Sequence, residues 1–365
     1  LIVDGIMYVT ERPNSVMAVD AVTGRVFWKF RHTPVEGARI CCGANNRGVA
    51  VLDDKVYMGT LDARLIALDR VNGQPLWNVE VGDVDQSYSV TMAPLAVKDK
   101  IMVGVGGGEF GIRGYVAAFD AETGELAWKT YTIPGPGEAN HDSWEGDDWE
   151  HGGAPVWITG SFDPELNLTY WGVGNPGPDW NAGQRPGDNL YSDSAIALDA
   201  DTGELKWHFQ FTPNDGYDYD SVQVPVLADI NFRGTPKKVM MWANRNGYFY
   251  VLDRVTGEFL EGKPFVTVNW SSGLDENGRP IPTPQPEGMP TYPGNQGGTN
   301  WYPPSFSPNT GLFYFSAWEN YATIYRAEES EYIPGRAFLG GGFSVLAPAP
   351  GAPTRIDNEV YTENR

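Results

Sequence analysis

Met17-Ala18-Val19-Asp20-Ala21-Val22-Thr23-Gly24-Arg25-Val26-Phe27-Trp28 is the stretch whose reading decides the fold. Apolar residues alternate up to Asp20, which opens a turn, and Gly24 supplies the position that tolerates positive φ. The returning half ends in a Trp. This is the pattern of a β-hairpin, and a Trp at its end is large enough to wedge against a neighbouring unit. The chain repeats it at residues 66–77 (IALDRVNGQPLW), 117–128 (AAFDAETGELAW) and 196–207 (IALDADTGELKW). A fifth copy, residues 250–260 (YVLDRVTGEFL), keeps the Asp and the Gly but lacks the Trp.

The four Trp lie 49, 51 and 79 residues apart. About 50 residues hold four short strands with their turns, the size of one propeller blade. The longer interval predicts an insertion, placed at residues 134–153. Further strand runs fit at 49–58, 95–105, 168–173 and 238–251, and no stretch holds a 3.6-residue apolar period over four turns. The sequence therefore predicts an all-β chain, a β-propeller of four-stranded, W-shaped blades with tryptophan-docking repeats. It reads as one domain over residues 1–365. By themselves the repeats fit a propeller with chemistry and a propeller without it.

Charge narrows the function. Lys and Arg number 26 against 47 Asp and Glu, a net charge of −21. That excludes the basic footprint of a nucleic-acid binder and disfavours docking on anionic lipid. It suits a cationic partner. The 13 Trp, 18 Tyr and 16 Phe are too many for a disordered chain. No run of about 20 apolar residues encodes a membrane span. His32, His141, His151 and His208 show no zinc spacing, there is no CxxCH haem signature, and no glycine run forms a strand–GxGxxG–helix unit. The chain starts at Leu1 inside a strand pattern and closes on no evident element at 361–365. A piece of a longer protein, cut at both ends, is the expectation.

Several polar segments stand out from the repeats. Cys41-Cys42 are the only cysteines. Adjacent side chains point to opposite faces of a strand, so the pair reads either as two buried thiols or as a strained vicinal bond. Gly106-Gly107-Gly108-Glu109 would let backbone amides approach a planar anionic ligand, and Glu109 alone would be an ordinary loop acid. Trp157 opens the segment 157–167, which leads to Gly172-Val173-Gly174-Asn175-Pro176. Thr212-Pro213-Asn214-Asp215-Gly216-Tyr217-Asp218-Tyr219-Asp220 alone reads as a solvated acidic turn with Asx caps. Asn244-Arg245-Asn246-Gly247 and Gly297-Gly298-Thr299-Asn300-Trp301 complete the set.

Taken together these segments resemble the PQQ-dependent (quinoprotein) alcohol dehydrogenases, of the methanol and ethanol dehydrogenase kind, over residues 1 to about 318. The resemblance implies eight blades in the full-length family, of which about five or six are encoded here. It implies a Cys41–Cys42 disulfide on one face of the quinone and Trp157 on the other. Arg47 would bind a cofactor carboxylate, Thr91 and Asn300 would hold the cofactor, and Gly106, Gly107 and Gly108 would line it. Arg245 would hydrogen-bond the quinone oxygens. Glu109, Asn175, Asp218 and Asp220 would surround a metal ion, with Asp218 also the catalytic base. An Asp at the Asp220 position is associated with lanthanide-dependent members, where calcium-dependent ones carry a smaller or neutral residue. Two departures are Phe162 for the usual Tyr and Pro155 for the usual Thr, and the second leaves one of the family's cofactor hydrogen bonds open.

The function implied is oxidation of a primary alcohol to an aldehyde by hydride transfer to metal-bound PQQ, the ion being calcium or a lanthanide. The partners implied are a small alcohol, a cytochrome c acceptor in the periplasm and, as an open question, a second copy in a homodimer. A sugar or polyol dehydrogenase on the same cofactor and a non-catalytic propeller scaffold are the alternatives. A scaffold has no reason to keep Cys41, Cys42, Glu109, Asn175, Asp218 and Arg245 together.

Overall fold

The five repeats organise five antiparallel sheets of four strands, each with its strands in chain order. The structure is a computed structural model and describes residues 1–346. The first sheet holds β1 (Ile2–Val3), β2 (Ile6–Glu11), β3 (Ser15–Asp20) and β4 (Val26–Arg31). The second holds β5 (Val49–Leu52), β6 (Lys55–Gly59), β7 (Arg64–Asp69) and β8 (Pro75–Glu80), and the third β9 (Leu95–Val97), β10 (Lys100–Gly104), β11 (Tyr115–Asp120) and β12 (Leu126–Tyr131). The fourth holds β13 (Ser161–Asp163), β14 (Leu168–Gly172), β15 (Ser194–Asp199) and β16 (Leu205–Gln210). The fifth holds β17 (Val226–Phe232), β18 (Thr235–Ala243), β19 (Tyr248–Asp253) and β20 (Phe259–Pro264). Two-stranded pairs follow, β21 (Ser271–Leu274) with β22 (Pro280–Pro282), β23 (Ser305–Ser307) with β24 (Leu312–Tyr314), and β25 (Ala322–Ala327) with β26 (Gly341–Leu346). The chain is an all-β propeller, and five complete blades fall within the expected five or six. No helix among the described residues is long and apolar enough to cross a membrane.

Each repeat turn closes as its residues dictate. Asp20 Oδ1 accepts from the N–H groups of Val22 (2.9 Å) and Thr23 (2.8 Å), and Asp69, Asp120 and Asp199 do the same two and three residues on. The turn glycines lie at positive φ, +74° at Gly203. They also serve the next contact. A Cβ on Gly73 would sit 2.5 Å from the Trp28 ring, and one on Gly203 2.5 Å from the Trp128 ring. Trp28 Nε1 donates to the Arg70 carbonyl at 3.0 Å, Trp77 to Ala121 at 3.2 Å and Trp128 to Ala200 at 3.3 Å. Each Trp thus lies flat on the turn of the following blade; Trp28, Trp77 and Trp128 have their N–H satisfied, whereas Trp207 packs on Gly257 with its Nε1 unpartnered. The fifth repeat solves the missing Trp with Phe259, whose ring meets the turn glycine Gly278 of the next pair.

The extra length between Trp128 and Trp207 is shared by two connections, residues 132–160 before β13 and residues 173–193 between β14 and β15. The run 49–58 is two strands, folded at Asp53 with φ +50°.

Topology explains where function collects. In a four-stranded antiparallel sheet read in order, the entry to strand one and the link from strand two to three lie at the same end. Cys41, Cys42 and Arg47 precede β5, Thr91 precedes β9, Trp157 precedes β13, Asp218 and Asp220 precede β17, and Asn300 precedes β23. Gly106, Gly107, Gly108 and Glu109 link β10 to β11, Asn175 links β14 to β15, and Arg245 links β18 to β19. Every singled-out residue therefore stands at the same end of its own sheet, opposite the Asp–Gly turns.

Candidate active site

Arg245 is the hub. It follows β18, where Asn244 ties the loop to its neighbour by donating to Ser221 Oγ at 2.8 Å. The Arg245 side chain is 4 % exposed; its Nη1 lies 2.5 Å from Asp220 Oδ2 and its Nη2 3.2 Å from Asp218 Oδ2. Nη2 also donates to the Asn295 carbonyl. Asp220 Oδ1 accepts from Trp157 Nε1 and from the Asn175 N–H, both at 3.1 Å. One buried carboxylate thus joins the aromatic floor, the Asn175 loop and the guanidinium. Asp218 sits at φ +62° with 22 % of its side chain open to solvent. Its loop is shaped by fully buried Asp215, which accepts from the N–H groups of Tyr217 (2.8 Å) and Tyr219 (2.7 Å). The segment is an Asx-capped turn, as its sequence suggests, but a buried one.

The opposite wall comes from the second and third blades. Cys41 and Cys42 are disulfide-bonded to each other, and Cys42 Sγ lies 3.8 Å from Glu109 Oε1. Arg47 donates from Nη1 to Thr91 Oγ1 at 2.8 Å, and its guanidinium carbon stands 4.7 Å from the Trp157 ring centre and 5.1 Å from that of Trp301. Such contacts favour the planar cation of Arg. Asn300 uses both ends of its amide locally, donating to the Gln296 carbonyl (3.0 Å) and accepting from the Trp301 N–H (2.8 Å). It shapes the turn that presents Trp301.

The glycines have structural work of their own. Gly106 pairs with Ser89 as an isolated bridge, a Cβ on Gly107 would lie 2.5 Å from the Ser87 carbonyl oxygen, and Gly108 lies against Pro155. Pro155 is wedged between Gly108 and Gly174, and its carbonyl accepts from the Gly174 N–H at 2.7 Å. It links the Glu109 loop to the Asn175 loop.

The electrostatics follow from burial. Burial pushes Glu109 up to about 7, a bond to its own backbone N–H opposes this, and Asp220 adds to it. Burial also drives Asp218 well above the usual carboxylate range; Arg245 opposes, and Asp220, Asp179 and Asp215 reinforce. Arg47 is lowered to about 10 by burial, with Asp220 counteracting. Among the described residues, the only three His, Cys, Asp or Glu groups whose ligand atoms close to within 4.8 Å are Cys41, Cys42 and Glu109, and the sulfurs there belong to the disulfide. Glu109, Asp218 and Asp220 are brought to one basin but not to that distance, and Arg245 bridges the last two.

Sequence reading missed Trp301, Asp179 and Asp215. Trp301 had a signal, as the aromatic after Asn300. Asp179 had only its place in the Asn175 loop. Its side chain is buried, and burial, with Glu109 and Asp220 nearby, pushes its carboxyl well above the usual range.

Trp-docked blades carrying an acidic, arginine-centred basin, with a Trp bonded to Asp220 and a disulfide against Glu109, define the class of propeller to compare. The comparisons give the family. Residues 1–262 match the family model for the PQQ-type "Glucose/ethanol/alcohol dehydrogenase, beta-propeller domain", and the chain belongs to that family. It is 42 % identical over 374 residues to quinoprotein alcohol dehydrogenase PedH of Pseudomonas putida, covering 94 % of this chain and 62 % of the relative. It is 39 % identical over 372 residues to the lanthanide-dependent methanol dehydrogenase of Methylacidiphilum fumariolicum, covering 93 % and 60 %. The solved europium-containing methanol dehydrogenase superposes with a TM-score of 0.89 at 37 % identity, over 94 % of this chain and 65 % of that one. The chain spans about three fifths of the length of these relatives.

Proposed function

We propose that this chain is the catalytic propeller of a periplasmic PQQ-dependent alcohol dehydrogenase that turns a primary alcohol into an aldehyde. The single observation that carries the reading is the bridge of Arg245 to both Asp218 and Asp220, the second of which also holds Trp157 Nε1.

The residues fit the group. Arg47 Nε and Arg245 Nε are buried without a partner, two donors aimed at an acceptor the protein does not provide. The oxygens of Glu109, Asn175, Asp218 and Asp220 are the hard donors that calcium or a lanthanide takes. Trp157 and the disulfide would hold the cofactor's faces, and Arg47 with Thr91 its carboxylate edge. When bound, PQQ with its ion supplies the two-electron acceptor for a hydride from the alcohol carbon.

The chain's own part is positioning and proton transfer. Asp218, like Glu109, is partly open to solvent, and its raised proton affinity suits the base that takes the alcohol hydroxyl proton on Oδ2. Arg245, 3.2 Å away, favours the ionised form of that base and orients it. Asp220 holds Trp157, Asn175 and Arg245 in register. The ion proposed is a lanthanide. Glu109, Asp218 and Asp220 together gain more from a trivalent ion than from calcium, and two of the similar proteins are described as lanthanide-dependent and europium-containing. The disulfide supports an oxidising compartment. The charge of −21 suits a basic cytochrome c as electron acceptor.

Asp218→Asn in the full-length protein tests this reading. It is expected to retain bound PQQ and lose at least about a hundredfold in kcat, the scale of general-base catalysis. Unchanged turnover contradicts the assignment of the base.

A further inference from the structure

Loop 174–180 holds a buried acid that none of the assigned roles uses. The loop begins on Asp220: a Cβ on Gly174 would lie 2.3 Å from Asp220 Oδ1, and the Asn175 N–H donates to the same oxygen at 3.1 Å. It then passes the Glu109 loop, where a Cβ on Gly177 would lie 3.5 Å from the Gly108 carbonyl oxygen. It leaves through the Trp180 N–H, which donates to the Leu339 carbonyl at 2.9 Å, one residue from the Phe338 N–H that donates to the Glu109 carbonyl at 2.7 Å. Asp179 is therefore carried between the Asp220 and Glu109 anchor points.

Asp179 is 3 % exposed, and its Oδ1 has no hydrogen-bond partner. Glu109 and Asp220 are the like charges that act on it, and the Asn175 amide in the same loop donates to the Pro176 carbonyl at 3.4 Å. The neighbouring guanidinium, Arg185, donates to the Asp179 backbone oxygen at 3.5 Å and otherwise to Pro178, Asn189 and Asp215. A buried carboxylate with one oxygen unpartnered, in a loop anchored on the Asp220 and Glu109 segments, is the arrangement that a bound cation completes.

We infer that Asp179 is a charge-setting residue of the metal site, whose buried carboxylate adds the negative charge that selects a trivalent over a divalent cation. This rests on the metal-site reading above.

The test is a titration of the full-length protein with terbium(III) alone, read by tryptophan-sensitised luminescence, with calcium as competitor. Asp179→Asn keeps the shape and removes the charge. It is expected to weaken terbium binding by about tenfold, the usual scale for residues that support a ligand, and calcium binding by less. Asp179→Ala removes the same charge without the isosteric amide, so it is expected to weaken terbium binding at least as much as Asp179→Asn. Near-UV circular dichroism identifies any variant that fails to fold, and the other then carries the comparison. Terbium and calcium affinities equal to wild type in a folded variant overturn the role of Asp179 alone. A wild-type protein that binds neither ion overturns the metal-site reading along with it.

Discussion

Trp157 Nε1 donates to Asp220 Oδ1 at 3.1 Å, so the aromatic floor of the site and its most engaged carboxylate are one unit. Asp220 is 5 % exposed, so solvent has little access to replace a lost donor. Trp157→Phe keeps an aromatic face but removes that N–H. It is expected to cost about 1–3 kcal/mol of stability, the penalty of leaving a buried acceptor short, and to loosen Arg245 with it. A urea midpoint equal to wild type would show that the bond carries nothing.

The turn glycines provide an internal control for tryptophan docking. Gly24 and Gly203 have nearly the same backbone, φ +77° and +74°, but nothing lies within 4 Å of a Cβ at Gly24, whereas one at Gly203 meets the Trp128 ring at 2.5 Å. Gly24→Ala should cost about 1 kcal/mol for its left-handed φ. Gly203→Ala should add about 1–3 kcal/mol of overpacking. Equal losses in denaturant titration would remove docking as the reason for the glycine.

Acid stability should depend on Asp62. His32 Nε2 lies 2.9 Å from Asp62 Oδ2, and the Val35 N–H donates to that oxygen at 3.1 Å. Burial alone would raise this carboxyl, but the bonds from His32, Thr60 and Val35 outweigh it and hold it at about 2. A depressed carboxyl stabilises above its unfolded pKa of about 4, and that contribution is lost as pH falls through about 2. The difference amounts to about 2 kcal/mol. Asp62→Asn should be less stable at pH 6 and should show a flatter fall in urea midpoint between pH 5 and 2. An unchanged slope would place the effect elsewhere.

Arg47 is held between two rings, and only a planar cation fits both faces. Arg47→Lys keeps the charge but not the plane. It is expected to weaken PQQ binding by about tenfold or more, seen as a shifted midpoint in tryptophan quenching. Wild-type affinity would show that charge alone suffices.

The sequence carried much of this because repeats state their own geometry. An Asp, a Gly four residues on and a Trp at a fixed offset specify both a hairpin and its contact with the next one. The Phe259 substitute was hidden because it lies two positions from where Trp belongs, and only the fold shows it reaching Gly278. The candidate residues Glu109, Asp218 and Arg245 were singled out through their motifs, and the structure sets them at the same end of their sheets. The Arg245 bridge was not legible, because it joins loops of two blades, and nothing local in either loop encodes the distance. Asp179 was hidden for the reverse reason. Its charge suggests a solvated loop, and its burial is decided by the Glu109, Asp220 and Leu339 segments around it.

The most direct measurement is a PQQ titration of the folded, full-length protein under oxidising conditions, run without metal, with calcium and with lanthanum, and read by tryptophan fluorescence. Saturable quenching that requires an ion and is tighter with lanthanum is the predicted result. No binding with either ion would contradict the central claim that this propeller holds a metal-bound quinone.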